Sequence, residues 1–238
     1  MALHAQDERQ VASPNGRIEF RIFVAQPDDG GLSQLAYQVW VGGKPVLDTS
    51  WMGLDIYNQQ PLLGQKLGLT HSSTASAGAG DSRYNSLIAE YMQDGSLGRR
   101  INVEARVYNE GVAFRYVIPK SNPLDPILIH DEGTVFSLVH GDALKRAGVG
   151  ARFDLPFAAA QPDTGWIAIT EAGAMNYPRM VLVHSGGTDL ISHLAPRPHD
   201  PNIAFEGNTR LTGPWRAIVF GLDKDRLNQS IILRDIDR

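Results

Sequence analysis

The 238-residue sequence contains no cysteine, which excludes disulfides, thiolate metal sites and cysteine nucleophiles. No apolar run approaches the roughly 20 residues that a membrane-spanning helix needs. Charges of both signs are spread along the chain and the formal net charge is −4, so no basic stripe indicates a nucleic-acid partner. We therefore expect neither a membrane span nor a nucleic-acid complex.

Helical periodicity and common catalytic signatures are also scarce. Only Asp223–Gln229 is a candidate for a short helix, and neither a Gly-x-Ser-x-Gly elbow nor a Walker loop occurs. A glycosidase needs two carboxylates at a fixed separation, and spacing along the chain identifies no such pair. The other acidic residues lie in ordinary strand and turn contexts, among them Asp48, Asp55, Glu90, Glu104 and Asp131.

What the chain does contain is period-two alternation of apolar and polar residues. Gly42-Gly43 separates two alternating segments as a hairpin turn, and Asn109-Glu-Gly111 does the same further on. About a dozen short strands without intervening helices predict an all-β fold, a large antiparallel β-sandwich. Further predicted strands are Ser86–Met92, Ile127–His130, Thr134–Val139, Trp166–Thr170, Met180–His184, Asp189–Leu194, Asn202–Phe205 and Trp215–Phe220.

Two segments are expected to be irregular. Residues 1–12 are predicted to be disordered, and Met1–Gln6 resembles the remnant of a secretory signal cut after Ala5, which would make the protein periplasmic or secreted. The loop Thr70–Asp81 is rich in Ser, Ala and Gly and is predicted to be mobile. Residues 13–238 are then expected to form a single β-sandwich domain.

Glu171 stands out by its context. The apolar strand Trp166–Thr170 leads directly to this carboxylate, and small residues, an Asn-Tyr pair and Pro178 follow. A strand end that delivers one carboxylate to a loop is a typical way to place a ligand or an acid on a rigid frame. No residue nearby in the sequence would complete a metal site or a hydrolytic pair with it.

Two histidine arrangements are weaker candidates. Period two would place His130 and Glu132 on one face, where they could bind a metal or move protons, although a solvated strand end is the favoured interpretation. His193 and His199 flank a proline-rich loop at a spacing that fits no helical metal motif, so we interpret them as surface residues.

Aromatic side chains could stack on sugar rings, because the apolar face of a sugar packs on a ring like other apolar surfaces. Trp166 and Trp215 lie in strand patterns and are expected in the core. Trp40 falls on the polar face of its strand and is the best candidate for an exposed ring. The full set is Trp40, Trp51, Tyr57, Trp166, Tyr177 and Trp215.

Several short motifs occur in order and nearly end to end along the chain: Ser13-Pro-Asn-Gly16, Gly43-Lys-Pro-Val46 before Met52-Gly-Leu54, Asn109-Glu-Gly-Val-Ala-Phe-Arg-Tyr116, His130-Asp-Glu-Gly-Thr-Val-Phe136, Thr170-Glu-Ala-Gly-Ala-Met-Asn-Tyr-Pro178, Gly213-Pro-Trp-Arg216 and Asn228-Gln-Ser-Ile-Ile-Leu233. Together these motifs resemble the N-terminal domain of glycoside hydrolase family 97. The resemblance implies a β-super-sandwich of the galactose mutarotase-like type. It implies that the chain packs on a (β/α)8 catalytic barrel of a bacterial exo-α-glucosidase or α-galactosidase.

The resemblance also implies that Glu171 is a ligand of a calcium ion at the active site of the complete enzyme. Calcium takes about six to eight oxygen ligands, so one glutamate alone would bind it weakly. The chain stops at Arg238, where the barrel is expected to begin, and we expect no catalytic residue and no bound metal in this chain alone. The segments Thr70–Asp81 and Gly141–Phe157 depart from the family pattern, which puts active-site contacts of this domain in question.

Three hypotheses follow. The first is a non-catalytic N-terminal domain that supports a barrel, supplies Glu171 to shared calcium and exposes an apolar, self-associating face. The second is a free-standing carbohydrate-binding module. The third is a mutarotase-type enzyme with His130 and Glu132 as acid and base. In the isolated chain, Glu171 is expected near the surface and solvated.

Overall fold

The computed structural model describes residues 6–27, 30–93, 98–120, 123–162, 164–173, 176–221, 225, 227 and 229–236. The strands in these ranges are β1 Gln6–Ala12, β2 Ile18–Ala25, β3 Gln34–Val41, β4 Lys44–Trp51, β5 Asp55–Ile56, β6 Leu67–Ala77, β7 Tyr84–Gln93, β8 Arg99–Tyr108, β9 Gly111–Ile118, β10 Ile127–Asp131, β11 Val135–Ser137, β12 Arg152–Phe153, β13 Phe157–Gln161, β14 Gly165–Ala172, β15 Met180–Gly186, β16 Asp189–Leu194, β17 Phe205–Gly207, β18 Leu211–Thr212 and β19 Trp215–Gly221. The helices are a 3-10 turn at Gly80–Ser82, α1 Asp142–Ala147 and α2 Ile231–Asp235.

All strand pairs in the described residues are antiparallel, and they form four sheets. The largest has the order β13-β14-β19-β9-β8-β7-β6, with β18 paired to β9. The second has the order β1-β2-β3-β4, and the smaller ones are β17-β10-β5 and β11-β16-β15-β12. The predicted all-β sandwich is therefore confirmed. Among the described residues, no helix has the length and apolarity that a bilayer crossing requires.

The main core lies between these sheets. Several strands, such as β8, bury alternate side chains there. Buried aromatic rings of different sheets meet in this core: the ring centroids of Phe20 and Phe114 lie 5.9 Å apart, and those of Tyr37 and Phe136 lie 6.4 Å apart. Tyr37 also donates a hydrogen bond from its hydroxyl to the carbonyl of Val135 at 2.8 Å. One contiguous apolar cluster thus joins side chains from all four sheets.

A second core covers the opposite face of the large sheet. Ile232 and Ile236 of the C-terminal segment pack there with Trp215, Ala217 and Val219 of β19. Ser230 caps α2 by accepting a hydrogen bond from the amide of Ile232. The short helix that the sequence predicts at Asp223–Gln229 falls mostly outside the described residues.

Both predicted hairpins are confirmed. Gly42 and Gly43 adopt φ values of 60° and 80° between β3 and β4, a conformation that favours glycine. Asn109 and Glu110 connect β8 to β9, whose register pairs Tyr108 with Gly111. The strand predicted at Asn202–Phe205 is wrong in position, because β17 begins only at Phe205.

Two expectations of irregular structure are corrected. Residues 6–12, expected to be disordered, form β1, which pairs with β2 and buries Val11; residues 1–5 lie outside the described residues. The expected mobile loop Thr70–Asp81 is largely strand β6, paired with β7 along its length. In β6, backbone pairing to β7 outweighs the low strand preference of Ser, Ala and Gly, and in β1 pairing to β2 does the same for a run of charged and amide side chains.

Candidate functional site

Glu171 lies near the end of β14, opposite Arg216 of β19 in the antiparallel register. Arg216 donates a hydrogen bond from Nη1 to Glu171 Oε2 at 2.7 Å. The backbone amide of Met180 also donates to Glu171 Oε2, at 3.1 Å. The carboxylate is therefore held from two sides.

Arg216 is the centre of this arrangement. Its side chain is 1% exposed, and it forms a two-point ion pair with Glu132: Nε donates to Oε1 at 2.8 Å and Nη2 donates to Oε2 at 2.5 Å. Planar guanidinium and carboxylate groups match in this geometry, which makes it a strong form of the interaction. We call Glu132, Glu171 and Arg216 the charged cluster.

Hydroxyl groups complete the surroundings of Glu132. Thr134 donates from Oγ1 to Glu132 Oε1 at 3.2 Å, and the Thr134 and Tyr116 hydroxyls lie 2.7 Å apart. Ser192 donates from Oγ to the Glu132 carbonyl at 2.9 Å. These contacts matter because a buried charge is tolerated only when its remaining lone pairs are satisfied.

The electrostatics follow from burial and these partners. Burial disfavours a charged guanidinium, but the Glu132 carboxylate outweighs burial, and the pKa of Arg216 is raised above its ordinary value. Burial raises the pKa of Tyr116 and of Tyr177, and the charge of Glu132 adds to both. The charged cluster thus joins two acidic side chains to one guanidinium group.

The expectation that Glu171 is solvated is wrong. Its side chain is only 7% exposed, because Arg216 draws it toward the core. Its other oxygen, Oε1, faces Arg179, with a 3.5 Å distance to Nε, and the Arg179 side chain is 76% exposed. Glu171 thus presents one oxygen toward the exposed side of the charged cluster.

The structure separates His130 from Glu132. His130 is exposed and its Nδ1 lies 2.7 Å from the carbonyl of Asn202, whereas Glu132 is 1% exposed and paired with Arg216. Strand β10 ends at Asp131, so the alternation that would place both side chains on one face does not continue to Glu132. The interpretation of Glu132 as part of a solvated strand end is also wrong.

The histidines near the proline-rich loop differ from each other. His199 is exposed, as expected. His193 is partly exposed, and its Nδ1 lies 2.6 Å from Asp131 Oδ2. The other oxygen of Asp131 accepts hydrogen bonds from the amides of Leu194 and Glu132. This pair joins β10 to β16.

The aromatic candidates do not provide an open stacking surface. Trp40 carries the guanidinium of Arg21 over its ring at 4.3 Å. Trp215 is 2% exposed, and Trp166 is partly buried in the second core, as expected for both. Trp51 packs against a small buried cluster, Tyr177 lies 4.9 Å from Phe205 between ring centroids, and Tyr57 is half-buried.

Sequence reasoning missed Arg216 as a functional residue. A signal was present, because Arg216 interrupts the apolar run of β19, and a charge inside a buried strand requires a partner. The partner could not be inferred, since Glu132 lies 84 positions away. Within the described residues, no group of three or more His, Asp and Glu side chains is arranged to hold a metal ion.

Comparison with known proteins gives a consistent result. A family model described as Glycosyl-hydrolase 97 N-terminal matches residues 11–145 and 140–237. The chain is similar to the retaining alpha-galactosidase of Bacteroides thetaiotaomicron, with 24% identity over 94% of this chain and 40% of that protein.

Solved structures share the fold. A glycoside hydrolase family 97 enzyme from Pseudoalteromonas sp. strain K8 in complex with panose aligns with a TM-score of 0.79 and 22% identity, over 94% of this chain and 37% of that chain. A beta-arabinopyranosidase aligns with a TM-score of 0.73 and 19% identity, over 91% of this chain and 40% of that chain. The chain thus spans about two fifths of the length of these relatives.

Proposed function

Because the chain belongs to the glycosyl-hydrolase 97 N-terminal family, we propose that it is the non-catalytic domain of an α-glycosidase, packs on a separate catalytic barrel and supplies Glu171 to a calcium ion at their junction. The relatives extend well beyond the matched region, which agrees with a further domain. Glu132 and Glu171 are both held by Arg216, so we assign neither of them a catalytic role. Catalysis therefore belongs to the barrel in this proposal.

The observation that supports the role of Glu171 is the position of its second oxygen. Arg216 is held mainly by its two-point ion pair with Glu132 and contacts Glu171 only through Oε2, so Oε1 lies on the side away from this pair. Its Oε1 has the exposed Arg179 as its nearby cation, at 3.5 Å. A hard cation prefers such a carboxylate oxygen, and calcium bound there would supply a fixed positive charge at the junction.

The residues fit calcium only in part. Glu171 can offer one oxygen, and the described residues contain no cluster that would supply the remaining ligands. The other ligands would have to come from the barrel. The affinity of the isolated chain for calcium is therefore expected to be weak. The chain should bind calcium and the barrel cooperatively.

The expected broad apolar face finds little support. The exposed large hydrophobic side chains of the described residues are Leu32, Val139 and Val149. Self-association of the isolated chain remains a prediction, and light scattering at high concentration tests it. A strictly monomeric chain would argue against a large unpaired interface.

The proposal can be tested with the chain and a separately produced family 97 barrel from the same organism. Titration calorimetry should show complex formation with calcium and at least tenfold weaker binding in EGTA. Glu171→Gln should weaken the calcium-dependent complex to a similar extent, because it replaces the charged carboxylate of Glu171 by a neutral amide. Glu206→Gln is the control, since Glu206 is half-exposed and pairs with exposed Arg197.

Two results would contradict the proposal. Hydrolysis of aryl α-glucosides or α-galactosides by the chain alone would make it an enzyme in its own right. A Glu171→Gln variant that binds the barrel with unchanged calcium dependence would remove Glu171 from the junction.

A further inference from the structure

A cleft of about 370 Å³ lies outside the charged cluster. Its walls come from the segments at residues 31–34, 53–55 and 60–65, and Gln93 and Gly133 also contribute. Small-molecule sites in proteins commonly have volumes of about 300–1,000 Å³, so this cleft is large enough for one small ligand. None of the three residues of the charged cluster lines it.

Asp55 is the unusual residue of the cleft. It lies in β5, which pairs with β10, and is half-buried. Its carboxyl group forms no hydrogen bond or ion pair with any of the described residues. Burial raises the pKa of Asp55, and the neighbouring carboxylate of Asp131 raises it further. Partly buried carboxylates normally have hydrogen-bond donors. Asp55 therefore retains acceptor capacity that a ligand could use.

The wall at residues 60–65 is fixed from below by two buried side chains. Gln93 is 1% exposed and donates from Nε2 to the carbonyls of Pro61 and Gln65, at 3.2 and 3.0 Å. Arg99 is 3% exposed, donates from Nη1 to the Gln60 carbonyl at 2.8 Å, and donates from Nη2 to Gln93 Oε1. The wall is therefore held in place before any ligand arrives.

The same loop has an unusual backbone. Asn58, Leu63 and Lys66 have φ values of 54°, 68° and 57°, a region that L residues rarely adopt. Such residues persist only where the surroundings enforce them, and they cluster at ligand-binding loops. The Gln93–Arg99 pair supplies that enforcement here.

The lining chemistry selects the ligand class. The side chains that can hydrogen-bond to a ligand are one carboxyl group, one hydroxyl and several amides: Asp55, Ser33, Gln34, Gln60 and Gln65. None of the described lining residues is cationic, which disfavours an anion. Exposed Leu32 and Pro61 provide apolar contact at the cleft. Amides and carboxylates both suit hydroxyl groups, which donate and accept hydrogen bonds.

We propose that this cleft binds a neutral polyhydroxylated ligand, one pyranose unit of a saccharide, with Asp55 as the main acceptor of its hydroxyl hydrogen bonds. The cleft is open and has no aromatic ring among its lining residues, so we expect a dissociation constant in the millimolar range, on the order of −4 kcal/mol. The proposal does not depend on Glu171, calcium or a barrel. Its failure would leave the proposed function untouched, and the reverse also holds.

The test is a titration of the isotopically labelled chain followed by amide chemical shifts. The ligands are D-glucose, D-galactose and maltotriose, each to about 50 mM, with the open-chain polyol mannitol as a comparison. Shifts should concentrate on residues 31–34, 53–55 and 60–65 and on the side-chain amides of Gln34, Gln60 and Gln65. A pyranose should bind more tightly than mannitol, and a tighter fit of maltotriose would indicate the end of an oligosaccharide.

Two variants with matched controls address Asp55 and the space of the cleft. Asp55→Asn keeps the shape and should weaken binding at least tenfold, whereas Asp142→Asn, on an exposed helix, should not change it. Gly133→Leu should block the cleft, because a Cβ at Gly133 meets no atom within 4 Å. Gly68→Leu is its control, since Gly68 has equal space and lies outside the cleft.

Four outcomes would overturn the proposal. The first is the absence of shifts with every sugar at about 50 mM. The second is a set of shifts that maps elsewhere on the chain. The third is binding that both Asp55→Asn and Gly133→Leu leave unchanged in folded variants. The fourth is a response of these residues to calcium alone and not to sugars.

Discussion

The charged cluster and the cleft that contains Asp55 both include carboxyl groups below the surface. The two regions differ in how many partners these carboxyl groups have. Glu132 is 1% exposed, forms an ion pair with the guanidinium of Arg216 and accepts a hydrogen bond from the hydroxyl of Thr134. Asp55 is half-buried and has no such partner among the described residues. The first carboxylate has its charge balanced inside the protein, whereas the second leaves its acceptor capacity open to the cleft.

This difference distinguishes carboxylates that stabilise the fold through ion pairs from carboxylates that remain free to bind a ligand. A buried carboxylate with a two-point ion pair holds other groups in place, and its removal should damage folding. A partly buried carboxylate without a partner destabilises the protein slightly, so its removal should improve stability while it damages binding. Glu171 lies between these cases, because one of its oxygens is paired and the other faces an exposed arginine.

The largest expected effect is that of Arg216→Met. The variant leaves the buried Glu132 without its counter-charge, which should lower the free energy of unfolding by about 3–5 kcal/mol. Urea denaturation measures this change. Arg197→Met, which breaks an exposed ion pair with Glu206, should cost less than about 1 kcal/mol.

A double variant sharpens this prediction. Because a well-packed apolar pair can replace a buried ion pair, Arg216→Met combined with Glu132→Leu should regain much of the lost stability. If the double variant loses more unfolding free energy than the two single variants lose together, the hydroxyl contacts of Glu132, rather than its charge, dominate its contribution.

The next largest effect is expected for Arg99→Met. This change removes the donors to Gln60 and Gln93 and leaves the buried side-chain oxygen of Gln93 unpaired, which should cost about 2–3 kcal/mol. Hydrogen exchange should accelerate at residues 57–66, where three positive-φ residues rely on this support. Unchanged exchange in that loop would show that Arg99 does not hold the wall.

Glu171→Gln should have a smaller effect on folding, about 1–2 kcal/mol, because Arg216 keeps its stronger pair with Glu132. Thermal denaturation of the isolated chain measures it. A loss of unfolding free energy as large as that of Arg216→Met would mean that Glu171 mainly stabilises the fold, which would argue against its role as a metal ligand.

The smallest effect, and one of opposite sign, is expected for Asp55→Asn. The pKa of Asp55 is raised in the folded state, so folding favours its neutral form. Its stabilising contribution is fully present below the unfolded pKa and is lost as pH rises through the folded pKa. At pH 7 the variant should therefore melt about 1–3 °C higher than the native chain, since about 1 kcal/mol corresponds to about 2–4 °C at this length.

This gain should disappear as the pH falls below 3.8, the ordinary pKa of an aspartate, where Asp55 is neutral in both the folded and the unfolded state. Calorimetric scans of both proteins between pH 7 and pH 3 measure the trend. A variant that is less stable at pH 7 would mean that the charged form of Asp55 has a stabilising partner.

The sequence predicted the strands that carry their own pattern. β8 alternates between buried and more exposed positions along most of its length, and β2 and β3 do so over part of theirs. The turns that follow β3 and β8 are Gly42-Gly43 and Asn109-Glu-Gly111, so local rules suffice for these two hairpins. β6 was missed because Ser, Thr and Ala carry no apolar alternation, and this strand exists through its pairing with β7. β1 was missed for the same reason, since its first five residues are exposed and only Val11 is buried.

The candidate site was predicted in part. The position of Glu171 at a strand end could be read from the apolar run before it. Its burial and its pairing with Arg216 could not, because they require β14 and β19 to lie side by side. Asp55 resembled any turn aspartate, and only the assembled walls of the cleft show that it lacks a partner.

The sequence by itself determined the all-β class, the two hairpins, the family resemblance and the exclusion of cysteine chemistry, because each depends on residue type and short-range order. The tertiary structure alone decided which charges are balanced. Glu132 and Arg216 are 84 positions apart and pair because two sheets bring them together. The Asp55 carboxyl group has no hydrogen-bond partner among the described residues, and the same packing places the Asp131 carboxylate near it, where its charge raises the pKa of Asp55.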